Sequence, residues 1–222
     1  MLADFLMLLW NRFPAALLLA RLAIVPLSFM LHELAHGLMA SLLGDPTPRE
    51  QDRLTLNPLP HLEPIAAITG VLLGFGWSRP TPIRPHRMRV PAWIGGPLAV
   101  LAGPLASLGL VLGGQALLNL PGLAPEFLWS GLPTLPGLLT VWVRFNLGVV
   151  LINLLPLFPL DAYALIRSLL PLRAAHWWER ASGWTTALLG IGVAAMLLLP
   201  TPLVEALIGP PVRWALKALL RW

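Results

Sequence analysis

The chain has no cysteine, one lysine, one tyrosine and little charge of either sign, with charged residues at 11% of its 222 positions. Without cysteine there is no disulfide scaffold and no thiolate, catalytic or metal-binding. The shortage of charge excludes more. A soluble domain carries about 25% charged residues, and a chain with less than half of that cannot cover a globular surface in polar groups. A soluble enzyme, a disordered tail and a secreted scaffold are set aside on that ground. What fills the space is 57% hydrophobic residues and a mean hydropathy of +0.75, the composition of an integral membrane protein.

The formal net charge is +5, but the charges sit in clusters between apolar runs. That pattern reports membrane topology, and no nucleic-acid partner is expected from it. Nearly every cation is arginine, and Leu, Ala, Gly and Pro are abundant, which fits a GC-rich, bacterial genome. The start Met1-Leu2-Ala3-Asp4 carries neither a basic leader nor a small-residue cleavage site, so no removable signal peptide is expected.

A spanning helix needs about 20 apolar residues. Residues 14–43, 91–120, 135–160 and 183–200 meet or approach that length. Residues 54–78 are apolar too, but Pro58, Pro60 and Pro64 crowd the start, so one continuous helix is excluded and a re-entrant or short β segment is expected. Arg53-Leu54-Thr55-Leu56-Asn57 alternates weakly, as an edge strand or a plain loop would. The expected architecture is an all-α integral membrane protein of four to six transmembrane helices in one domain spanning 1–222. Residues 203–222 form an interfacial tail whose Arg213, Lys217 and Arg221 make one stripe. Segments 44–54, 79–89 and 162–182 hold most of the arginines, whereas 121–133 has only Glu126. The positive-inside rule puts the first three in the cytoplasm, and counting crossings agrees; the basic tail, falling outside, is the discord.

Two features carry chemistry. His32-Glu33-Leu34-Ala35-His36 lies in an apolar stretch. On a helix the two imidazoles leave one face a turn apart, spaced to bind one metal, with Glu33 able to reach a water beside it. This is the H-E-x-x-H arrangement of zinc proteases. Ionisable groups inside an apolar helix are costly and usually functional; the plainer alternatives are snorkelling side chains near a helix end or a heme or quinone ligand pair. Catalytic zinc wants a third protein ligand. Asp161, Glu63, His61, His86 and His176 are the choices. Asp161 stands out, because it closes an apolar run on the side where the histidine helix ends; capping the helix that follows is the alternative. Upstream, Asn153-Leu154-Leu155-Pro156-Leu157-Phe158-Pro159-Leu160-Asp161 breaks its helix at proline. Asn153 there needs a polar partner, either a substrate backbone or oxyanion, or carbonyls freed by the prolines.

With both motifs in hand, the chain resembles the site-2 protease family of intramembrane zinc metalloproteases, in its compact bacterial branch. Arg53 to Pro64, Gly74-Phe75-Gly76-Trp77-Ser78-Arg79-Pro80 and Ala102-Gly103-Pro104-Leu105-Ala106 resemble further stretches of that branch. The resemblance implies one zinc ion held by His32, His36 and Asp161, with Glu33 activating a water and Asn153 assisting. It also implies regulated intramembrane proteolysis of transmembrane-helix substrates, such as membrane-tethered transcription regulators or signal-peptide remnants. The expected setting is the bacterial inner membrane, with the lipid bilayer as constant partner, the zinc nearer the cytoplasm, and an adaptor protein or homo-oligomer as a further partner. Two positions depart from the family pattern: Ala162 stands where glycine is usual, and Ser107 where asparagine is common. No PDZ or nucleotide-sensing domain is expected. A non-catalytic zinc-binding scaffold and a metal transporter are the competing readings.

Overall fold

A computed structural model of the chain describes residues 14–123, 125, 132–198, 214 and 217. The helices, in chain order, are α1 (Ala15–Leu42), α2 (Thr47–Glu50), α3 (Pro64–Leu73), α4 (Ala92–Leu118), α5 (Leu135–Asn153), α6 (Asp161–Leu169), α7 (Leu172–Arg180) and α8 (Ser182–Leu198). Short 3-10 turns occur at Leu59–His61 and Pro85–Arg87. No strand occurs among the described residues, and 53–57 is irregular backbone.

Among the described residues three helices, α1, α4 and α5, are long and apolar enough to cross a membrane, against the four to six spans expected. The expected span 183–200 corresponds to α8, described over Ser182–Leu198; residues 199 and 200 lie outside the described residues. The expected span 135–160 ends early, at Asn153, because Pro156 bars helical backbone at the residue before it. The interfacial tail and most of the 121–133 loop lie outside the described residues; Trp214 and Lys217 are helical.

The three long helices pack on one another, with α4 against both α1 and α5. Ala20, Ile24, Val25 and Phe29 of α1 meet Val141, Phe145 and Val149 of α5, with the Phe29 and Phe145 rings 5.5 Å apart. Val111 and Leu118 of α4 meet Val143 and Leu147 of α5. Asn146 of α5 donates to Ser28 Oγ of α1 at 3.0 Å, an interhelical polar link of the kind membrane bundles use. The outer faces stay apolar: Leu22, Leu105 and Leu112 are exposed, as lipid-facing positions require.

Residues 64–81 are not a single helix. Pro64 takes the first helical position of α3, where its missing N–H costs nothing, and Glu63 caps the helix by accepting from Ala66 N at 2.7 Å. α3 runs antiparallel to α1. Gly70 lies against Val25, and Arg21 of α1 donates to the terminal carbonyls of Val71 and Leu72 at 3.0 and 2.8 Å. Gly74, at φ 78°, reverses the chain, and residues 75–81 return beside α1 towards Glu33. Gly74 is required twice, since a Cβ there would also strike the Arg21 guanidinium at 2.5 Å.

The charged segments on either side of this hairpin are bound to each other. Buried Asp45 accepts from Thr47 N at 2.9 Å and Arg84 N at 2.6 Å, Arg87 forms a two-pronged pair with Glu50 at 2.6 and 2.8 Å, and Arg89 N donates to Leu43 O at 2.8 Å. Burial raises the Asp45 pKa, but the hydrogen bonds from Thr47 and Arg84 outweigh it and hold the carboxyl below its ordinary value. Its stabilising contribution is therefore complete above the unfolded value, about 3.9, and is lost as pH falls through the lower folded value. Asp45→Ala is expected to destabilise the protein by about 2 kcal/mol at neutral pH. Thermal unfolding in detergent across a pH series should show the gap between wild type and variant closing only below about pH 4.

Candidate metal centre

His32 and His36 project from one face of α1 with both imidazoles buried. Their Nε2 atoms are 3.1 Å apart. Asp161, at the first position of α6, brings Oδ2 within 3.1 Å of His32 Nε2 and Oδ1 within 3.3 Å of His36 Nε2. Donors bound at about 2.0–2.2 Å to a tetrahedral ion stand about 3.3–3.6 Å from one another; the two Nε2 atoms and the carboxylate oxygen nearest each approach that spacing, and one donor atom from each of the three residues lies within 4.8 Å of the others. Asp161 Oδ2 is buried and has no hydrogen-bond partner despite its nearness to His32: both atoms aim at shared space. Among the described residues this is the only group of His, Cys, Asp or Glu so gathered.

The far sides of the rings decide which nitrogen is offered. His36 Nδ1 stands 2.8 Å from Ala99 O; a carbonyl only accepts, so Nδ1 carries the proton and Nε2 presents its lone pair. His32 Nδ1 stands 3.0 Å from Ser107 Oγ. Both anchors belong to α4, on either side of Pro104. Gly103 supplies the clearance: a Cβ at that position would lie 2.1 Å from His36 Nε2. Two imidazole nitrogens and a carboxylate thus turn towards one point, and N/O donors gathered in this way suit zinc.

Asn153 does not point freely into the site. Its Nδ2 donates to Val149 O at 2.9 Å, and its Oδ1 accepts from Asp161 N at 3.1 Å. The amide thus closes the end of α5 and fixes the first turn of α6, setting where the Asp161 carboxylate lies. Ala162 is accommodated in that same turn, and α6 is held from its other side by Tyr163, stacked on Trp178 with ring centroids 5.1 Å apart.

Glu33 lies one residue round α1 from the first histidine, and its carboxylate is held by the returning segment 75–81. Ser78 Oγ donates to Oε1 and Thr81 N to Oε2, each at 2.6 Å. Arg53 Nη2 is 3.8 Å from Oε2. Glu33, His36 and Asp161 share a cavity of about 60 Å³ with Trp77, Thr81 and Asn153, space for only a few waters. A larger groove of about 460 Å³, lined by Arg49, Asp52, Leu54, Thr55, Asn57 and Pro60, opens beside it.

The other titratable candidates fall elsewhere. Glu63 caps α3. His86 and His176 are exposed. His61 is fully buried but lies outside the donor triangle; burial holds its imidazole below the ordinary value, and hence neutral. Sequence reasoning missed the supports: Ser78, Thr81 and Arg53 around Glu33, and Ala99 behind His36. Their one sequence signal was position, since Arg53 and Ser78 lie in stretches that carry the family resemblance.

Removing a hydrogen-bond partner behind a metal-binding histidine typically costs 10- to 100-fold in affinity. Ser107→Ala is expected to weaken zinc binding by that factor, Gly103→Ala by more, and Asp161→Ala to abolish stoichiometric binding. Chelator competition with metal analysis of the full chain in detergent measures all three.

Comparison with known proteins points the same way. No family model and no solved structure matches the chain. It is similar to a Bacillus subtilis (strain 168) protein named "Putative zinc metalloprotease YwhC", at 41% identity over 145 residues. The match covers 65% of this chain and 66% of that protein, slightly under two thirds of its length. With the His32, His36 and Asp161 group, the likeness supports assignment to a zinc metalloprotease family.

Proposed function

We propose that the chain is an intramembrane zinc endopeptidase of the site-2 type, cleaving transmembrane segments of other membrane proteins in regulated intramembrane proteolysis. The observation that carries this is the convergence of His32, His36 and Asp161 on one point with Glu33 beside them on a shared cavity. The YwhC likeness supports the protease class; three apolar helices support the membrane setting.

His32, His36 and Asp161 would hold the zinc, leaving a fourth position open. When bound, zinc lowers the pKa of water to about 7 and polarises a carbonyl. The chain's own residues do the rest. Glu33, as a carboxylate, takes a proton from the attacking water and passes it to the leaving amine. Ser78 and Thr81 keep its oxygens turned towards the cavity. Asn153 positions Asp161.

The setting follows from helix geometry. His36 lies six residues before the end of α1, about 9 Å along the axis, so a spanning α1 keeps the site inside the lipid layer yet near one face. In the same reading, the hairpin of α3 and residues 74–81 is re-entrant, and irregular backbone at that depth is admitted because α1 satisfies it. The charged segments 44–54 and 79–89 lie at that end, which is the cytoplasmic one by the positive-inside rule. A membrane helix resists hydrolysis because its carbonyls are already bonded, so a substrate must be unwound; the groove at 49–60 offers irregular backbone to an extended chain.

Glu33→Gln separates this from the zinc-binding scaffold reading. It is expected to keep zinc while cleavage of a purified membrane-helix substrate falls by at least about 100-fold; unchanged cleavage would sink the peptidase reading. Orientation is testable because the chain has no native cysteine. His86→Cys, exposed in the 79–89 segment, should react with an impermeant thiol reagent only in inverted vesicles.

A further inference from the structure

His61 serves neither the metal nor a helix cap, yet it is completely buried. Its Nε2 stands 3.1 Å from Thr55 O; the carbonyl accepts, so Nε2 carries the proton. Its own carbonyl accepts from Arg79 N at 2.9 Å. The carbonyl of Arg79 is taken in turn by Arg53 Nη2 at 2.5 Å, and Arg53 also reaches Thr81 Oγ1 at 3.4 Å. Both polar ends of the Arg79 peptide are therefore clamped by the 53–61 segment. Ser78, just before Arg79, and Thr81, two residues after it, grip the two oxygens of Glu33. Thr55, at the other end of the chain of contacts, lines the open groove.

We infer that His61 is a positioning residue for Glu33: it pins the groove-lining segment at Thr55 to the strap at Arg79, and the strap in turn presents the Glu33 carboxylate to the cavity. The inference rests on the peptidase reading for its consequence in catalysis, but not for the latch itself. The geometry separates two supports. The ligands are braced from α4, through Ala99 and Ser107. The base is braced from the opposite side, through 78–81 and His61. Loosening His61 should leave metal binding intact and disturb proton transfer, whereas a general packing role would disturb both.

The test compares His61→Gln with His61→Asn in the full chain, purified in detergent with zinc. Glutamine places an amide N–H where Nε2–H stands and can reach Thr55 O; asparagine, one methylene shorter, cannot. Both variants are expected to keep one zinc per chain. For the membrane-helix substrate, Gln should stay within about threefold of wild type, while Asn should lose about tenfold in kcat with KM within twofold, the loss expected when a buried carbonyl is left unpaired. Hydrogen exchange read by mass spectrometry should show faster exchange at 78–81 in Asn alone. Equal behaviour of the two variants, loss of zinc in Asn, or a loss confined to KM would each overturn the assignment. Exchange is read without activity, so the latch stands or falls on it even if the wild-type chain cleaves nothing or Glu33→Gln leaves cleavage unchanged.

Discussion

Two imidazole Nε2 atoms 3.1 Å apart, each 3.1–3.3 Å from a different oxygen of one carboxylate in a buried site, form a donor set that a single cation can join. Everything near it is organised to hold these three donors together. The histidines arrive on one helix, fixed relative to each other by the helical turn. The aspartate arrives on another, and its place depends on how α5 ends: Pro156 stops the helix, Asn153 accepts the Asp161 amide, and α6 begins with the carboxylate facing α1. The same donor set accounts for a cost that an apolar protein would otherwise avoid, since buried ionisable groups persist only when paired or coordinating.

α4 serves as the wall against which the site is built. It contributes a carbonyl, a hydroxyl and the absence of a side chain, through Ala99, Ser107 and Gly103. Ser107, a departure from the family pattern, still reaches His32: a hydroxyl can occupy the place of an amide because only one polar contact to Nδ1 is needed. Ala162 causes no break in α6, because the turn at 160–162 has no positive φ to demand glycine. The hairpin of α3 and 74–81 supplies the opposite wall and grips Glu33. Metal ligands and base thus rest on different elements.

The charged residues form a layer at the end of the bundle nearest the site. Segments 43–53 and 79–89 meet through Asp45, Glu50, Arg84 and Arg87, so charges separated by the hairpin in sequence share one face.

The sequence by itself determined the membrane class, the three long helices, the histidine pair with its glutamate, and the distant aspartate. These are local quantities: apolar length, a four-residue helical spacing, and a lone carboxylate at the end of an apolar run. Helix ends were less legible, as α5 stops at Asn153, ahead of its downstream prolines, and not at the end of the apolar run. Only the tertiary structure decided what each polar side chain faces. Asn153 read equally as a substrate contact or a backbone partner until α6 was placed against it; Glu63 turned out to cap α3; and Ser78, Thr81, Arg53 and His61 acquired meaning only when the chain reversed at Gly74 and ran back along α1. Hydrogen-bond partners that lie 45 or 75 positions apart leave no periodic trace in the chain, because they depend on how whole helices pack and not on the residues next door.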